Sequence, residues 1–133
     1  MLDNILIGFD GHYKLADFGL SHSILTPASD DITEGDARYM AQELLNEILD
    51  PKDLAKADLF SLGATLYELI LCEDLPCNGE EWHGIREGKL EKLDRDNRVS
   101  EGFKGIVKGL LEKDSSKRPG LEEVLVFLER QKL

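Results

Sequence analysis

Asn4 and Asp17 are the first residues in this 133-residue sequence whose types and spacing could do chemistry. Between them Ile5-Leu6-Ile7-Gly8-Phe9 runs into Asp10-Gly11 and then into His12-Tyr13-Lys14-Leu15-Ala16. Asp-Gly between two apolar runs is the strongest short-range hairpin signal, because both residues of a two-residue turn need positive φ. Such a loop pairs Phe9 with His12, so partner numbers sum to 21 and Asn4 stands directly opposite Asp17. Opposed Cα atoms lie about 4.5–5.5 Å apart. An amide oxygen and a carboxylate at one end of a ribbon suit a hard, oxygen-seeking cation such as Mg²⁺. The competing reading is that both side chains simply bond to backbone, as Asn and Asp commonly do at turns.

Composition sets the outer limits. The 16 Lys and Arg stand against 27 Asp and Glu, a net charge of -11. An acid excess of that size repels phosphate backbones and anionic lipid, so neither nucleic acid nor a membrane surface is an expected partner. With 41% apolar residues, the chain suits one compact domain or half of a larger one. No basic segment leads into an apolar core at the N-terminus, and no uncharged stretch reaches about eighteen residues, so a soluble intracellular protein is expected. Cys72 and Cys77 have no second Cys or His pair at ligand spacing, and read as free thiols rather than a zinc site.

The elements that must position Asn4 and Asp17 follow from pattern. Ser21 to about Gly35 is polar and aperiodic, a long surface loop in which Ser21, Ser23, Thr26, Ser29 and Thr33 are ordinary loop hydroxyls that a kinase could modify. A short helix is expected over Ala41–Leu49, ending near Asp50-Pro51. Ala57–Cys72 is apolar nearly all round, with Asp58, Ser61, Thr65 and Glu68 on one narrow stripe, and belongs in the middle of a core. A helix near Glu80–Glu87 comes next. Phe103, Ile106, Val107, Leu110 and Leu111, then Leu121, Val124, Leu125 and Leu128, give two amphipathic stripes. The expected fold is mainly α with one small N-terminal β-hairpin, about five helices, and the second of them central.

Beyond these patterns, Asp17-Phe18-Gly19 directly after a strand, followed by Ala41-Gln42-Glu43, resembles the D-F-G and A-P-E that bound a protein-kinase activation segment. Asn4 is placed like the last residue of the kinase H-R-D-x-x-x-x-N. Asp58-Leu59-Phe60-Ser61-Leu62-Gly63 is similar to the start of the kinase F helix, and Leu111 through Asp114 to Arg118-Pro119 to the closing L-x-x-D-x-x-x-R-P. Gly35-Asp36-Ala37-Arg38-Tyr39, Lys56-Ala57-Asp58 and Asn78 through Trp82, His83 and Arg86 to Leu90 resemble the Wee family of mitosis-inhibiting kinases over nearly the whole chain. Gln42 in the usual proline position fits that family, whereas Phe18 is the general kinase residue.

The resemblance implies a partial kinase domain over residues 1–133. Residues 1–43 hold the end of the catalytic loop, the magnesium-binding hairpin and the activation segment, and 44–133 the helical subdomain. It implies ATP and Mg²⁺ as cofactors of the parent kinase rather than of this chain by itself, with Asp17 and Asn4 as metal ligands. Asp58 would accept backbone N–H bonds from the catalytic loop, and Glu43 would pair with Arg118. The implied partner is a protein substrate, a cyclin-dependent kinase phosphorylated on an inhibitory tyrosine, and the implied location nuclear. A noncatalytic interaction module and a fragment of a generic Ser/Thr kinase are the alternatives.

Within the sequence no two glycines are separated by a single residue, so no Gly-rich phosphate loop is encoded, and the catalytic aspartate position falls before Met1. The chain alone is therefore expected to transfer no phosphoryl group. The central helix is expected to lack part of its covering and to expose an apolar patch.

Overall fold

The structure is a computed structural model that describes residues 2–21, 23, 35–45 and 51–130. A 3₁₀ turn (Leu2–Asn4) leads into strands β1 (Ile5–Ile7) and β2 (Tyr13–Leu15). A second 3₁₀ turn (Gln42–Leu45) precedes helices α1 (Pro51–Leu71), α2 (Gly79–Arg86), α3 (Glu91–Arg95), α4 (Glu101–Leu110) and α5 (Leu121–Arg130). The architecture is mainly helical with one two-stranded antiparallel sheet, as expected.

The hairpin differs from expectation in register. Ile5 pairs with Leu15, Leu6 with Lys14 and Ile7 with Tyr13, so partner numbers sum to 20 and Asn4 lies opposite Ala16, whose N–H it accepts at 2.8 Å. The cause is the turn. Gly8 closes it with His12 (2.8 Å) and accepts from Gly11 (2.9 Å), and only Gly11, at φ 78°, is left-handed. A three-residue loop ending in one αL glycine uses the same Asp-Gly dipeptide as the two-residue turn. Asp10 reinforces it by accepting from the His12 N–H at 3.1 Å and pairing with Lys14 at 2.9 Å.

α1 is the hub, but begins at Pro51 rather than Ala57. Proline has its φ preset for the first helical turn and no N–H to leave unpaired there, so Pro51 opens this helix instead of only closing the one before. The expected helix over Ala41–Leu49 is seen as the 3₁₀ turn Gln42–Leu45, and residues 46–50 lie outside the described part. α3 was not expected, because a five-residue helix with one buried side chain, Leu93, is too short to show a period. Most of the Ser21–Gly35 loop, including Thr26, Ser29 and Thr33, also lies outside the described residues.

Phe60, Ala64, Tyr67 and Ile70 of α1 are buried with Leu93, Val107 and Leu111. α4 crosses α1 at Gly63, where a Cβ would sit 2.7 Å from the Leu110 Cβ, so only glycine permits this approach. Ser100 caps α4 by accepting the Phe103 N–H at 3.2 Å. The expectation of an uncovered central helix needs correction: along α1 the one large apolar side chain strongly exposed among the described residues is Leu69. The uncovered apolar surface lies instead on and after the hairpin, at Ile7, Tyr13, Leu15, Phe18 and Leu20, and on α5. Among the described residues, no helix is long and apolar enough to cross a membrane.

Candidate functional site

Asp17 ends the ribbon in a left-handed conformation, φ 63°, a strained setting for a non-glycine residue. Its Oδ1 accepts the Gly19 N–H at 3.3 Å, a short Asx turn, and both Asp17 and Phe18 are exposed. The shifted register moves Asn4 off the position directly across from Asp17. The two residues nevertheless line one cleft of about 340 Å³, together with Asp36, Tyr39, Leu44 and Ser61. One Asp17 oxygen thus bonds locally to backbone, and the residue also borders the cleft shared with Asn4.

Asn4 and Asp17 bring one amide oxygen and one carboxylate to this cleft, while the second lining carboxylate, Asp36, is held by Arg38 at 2.5 Å. Mg²⁺ binds through one or two carboxylates, keeps several waters and takes phosphate oxygens as further ligands, so the pair fits Mg²⁺ carried by a nucleotide. No cluster of three or more His, Cys, Asp or Glu able to hold a metal occurs among the described residues, so a closed protein-only cage is not what this cleft offers.

The opposite wall of the cleft is the 36–45 segment, held to the helices by buried polar contacts. The polar stripe of α1 receives it: Ser61 Oγ donates to the Tyr39 carbonyl at 2.9 Å, and the Tyr39 hydroxyl donates to Glu68 at 2.7 Å. Burial, and the Glu68 carboxylate beside it, push the Tyr39 phenol well above its ordinary value. At the C-terminal end of the segment, Glu43 takes a forked contact from Arg118, 2.5 Å from Nη1 and 3.3 Å from Nη2. The Arg118 side chain is fully buried, and its remaining donors reach the carbonyls of Lys56 (2.6 Å) and Glu112 (2.8 and 3.1 Å). Lys56 returns a hydrogen bond to the Arg118 carbonyl.

Asp58, about two turns into α1, accepts no hydrogen bond among the described residues. It is exposed, yet the packed protein beneath it pushes its carboxyl above the ordinary 3.8. A group whose folded pKa is raised loses stability as pH rises through that value, so the charged form is the unfavourable one at neutral pH. Asp58→Asn should therefore stabilise this chain at pH 7 by about 0.5 kcal/mol, kept small by solvent screening. Thermal melts would show the gain fading as pH falls towards 3.8. A loss at pH 7 would mean that the carboxylate already has a partner.

Two features escaped the sequence reading. Arg86, 2% exposed, points from α2 under the 37–40 segment, where its hydrogen-bond acceptors among the described residues are all backbone carbonyls, and desolvation lowers it to about 10. Trp82 and Arg86 stand one turn apart on a short helix, the one sequence signal that could have paired them. The Tyr39–Glu68 contact spans 29 positions and had no local signal. Trp82 is buried, whereas His83 is exposed.

The protein kinase domain family matches residues 2–127. The chain belongs to the protein kinase domain family. A probable protein kinase of Dictyostelium discoideum is 38% identical over 125 residues, covering 94% of this chain and 34% of that protein. A membrane-associated tyrosine- and threonine-specific cdc2-inhibitory kinase of Drosophila melanogaster is 41% identical over 125 residues, 93% of this chain and 22% of the relative. A Wee1-like protein kinase of Oryza sativa subsp. japonica is 40% identical over 123 residues, 92% of this chain and 22% of the relative. This kinase chain thus resembles Wee1-like kinases across most of its own length, while spanning about a third or less of these three relatives.

Proposed function

We propose that the chain supplies the metal-binding hairpin and helical subdomain of a kinase that moves the γ-phosphoryl group of ATP to a protein hydroxyl. The observation that supports this most is the convergence of Asn4 and Asp17 on one cleft whose other wall is the anchored 36–45 segment. In this reading Asp17 and Asn4 orient the nucleotide's metal from one side, and the segment carrying Tyr39 and Glu43 receives the protein substrate on the other. Bound Mg²⁺ would offset charge on the phosphoryl oxygens during transfer. Asp58, exposed and without a hydrogen bond here, would accept backbone N–H groups of the catalytic loop, which would reverse the sign of its stability effect.

The Wee resemblance extends the proposal to substrate and setting: a tyrosine hydroxyl of a cyclin-dependent kinase, phosphorylated in the nucleus to delay mitosis. The tyrosine- and threonine-specific, cdc2-inhibitory character of the Drosophila relative supports the substrate part of this choice. Calorimetric titration tests the shared chemistry. With no Gly-rich loop encoded, ATP should bind this chain weakly and through its metal, so that binding depends on Mg²⁺ and Asp17→Ala weakens it by about tenfold or more, the equivalent of about 1.4 kcal/mol. Affinity indifferent both to Mg²⁺ and to Asp17 would overturn the reading.

A further inference from the structure

Arg86 presents an unusual arrangement for a buried cation. A guanidinium taken out of water normally meets a carboxylate, because an uncompensated charge in the interior is costly. Here Nε donates to the Met40 carbonyl at 2.9 Å, and Nη2 to those of Met40 (2.7 Å), Ala37 (2.9 Å) and Arg38 (3.2 Å). Nη1 is spent on the Trp82 carbonyl at 3.1 Å, within the same helix. The guanidinium also lies over the Trp82 ring at 3.6 Å, and the indole N–H donates to Ala37 at 2.8 Å. Three backbone carbonyls within four residues are thus turned inward onto one side chain. Residues 37–39 form a turn closed by the Tyr39 N–H on the Asp36 carbonyl, and a turn with no sheet partner otherwise leaves such carbonyls to water. The planar fork of arginine can serve several of them from one position, which the single ammonium of lysine cannot.

We propose that Arg86 and Trp82 form a latch that sets the position of residues 37–40, making Arg86 a positioning residue for the substrate-side wall of the cleft. The latch itself stands on geometry alone. Its link to substrate placement rests on the kinase reading given above. Arg86 touches no reacting atom in this account: it acts through the backbone that carries Tyr39 and leads to Glu43. The device separates two duties, since Glu43 with Arg118 holds the end of the segment to the helical core, while Arg86 with Trp82 holds its middle to α2.

The test is amide hydrogen exchange on the 133-residue chain, comparing Arg86→Met and Arg86→Lys with the unaltered protein. The Tyr39 N–H, bonded to Asp36 at 3.0 Å, and the Leu44 N–H, bonded to Ala41 at 3.2 Å, report on the segment. The Leu111 N–H, bonded to Val107 at 3.0 Å, reports on the core. Arg86→Met should raise exchange at Tyr39 and Leu44 by about 100-fold, because hydrogen bonds to a charged group are lost, while leaving Leu111 within about threefold. Arg86→Lys keeps the charge and most of the stem, and should not restore protection. Full rescue by lysine, or exchange rising equally at all three sites, would overturn the latch. Should Arg86→Met fail to fold, Trp82→Phe removes only the indole donor and should raise exchange at Tyr39 selectively; no selective rise there overturns the proposal. Failure of the kinase reading would appear separately, as loss of Mg²⁺-dependent ATP binding with the exchange pattern intact.

Discussion

Arg118→Met is expected to lower folding stability by about 3–5 kcal/mol, the cost of breaking a buried pair by removing one member. The side chain is fully buried and uses its donors on Glu43 and on the carbonyls of Lys56 and Glu112. Methionine refills much of the volume but satisfies none of those oxygens. With a typical domain stable by only about 5–15 kcal/mol, the variant stands close to unfolding at ambient temperature. Glu43→Gln should cost less, about 2 kcal/mol, since an acceptor remains for Arg118 and the carbonyls keep their donors. Urea unfolding followed by far-UV circular dichroism measures both. A loss under about 1 kcal/mol for Arg118→Met would show that water or a shifted side chain readily replaces the fork.

Phe60→Ala should cost a similar amount, about 3–5 kcal/mol, through the cavity left by a fully buried aromatic ring. Phe60 has a second role that size alone does not capture. The guanidinium of Arg86 lies 5.4 Å from its ring centre and that of Arg118 lies 5.1 Å away, so both buried cations share one aromatic face-bearing residue. Phe60→Leu keeps most of the apolar volume and loses the ring quadrupole, for an expected cost of about 1–2 kcal/mol. A double-mutant cycle between Phe60→Leu and Arg118→Met should return a coupling of about 0.5 kcal/mol or more, because the residues are in contact. Strict additivity would mean that the ring serves only as filler.

What was legible in the sequence was local. The hairpin, the buried helix through Phe60 and the two amphipathic helices follow from periods and turn residues within short windows. The Glu43–Arg118 pair spans 75 positions and was accessible only because both residues sit in motifs that resemble those of kinases. The register was not legible, since Asp10-Gly11 serves a two-residue and a three-residue turn equally well, and a slip of one partner separates them. Pro51 signals a helix end by its effect on the residue before it, and a helix start by its own preset φ, so its position alone does not separate the two. The stripe of Ser61, Thr65 and Glu68 on α1 was visible, but not what it meets, because Tyr39 arrives from outside any local window. Arg86 stands in the sequence as a motif residue without a visible partner for the same reason: its acceptors are backbone carbonyls, and a carbonyl leaves no mark in a sequence.

The proposed function stands on the cleft shared by Asn4 and Asp17 receiving the metal of a nucleotide. Paramagnetic line broadening by Mn²⁺·ATP on the ¹⁵N-labelled chain tests it most directly, because broadening falls steeply with distance from the ion. The earliest losses should fall at the amides of Asn4, Asp17 and Gly19, and Asp17→Ala should abolish them. Broadening that begins elsewhere on this acidic surface, or that persists around the hairpin without the Asp17 carboxylate, would contradict it.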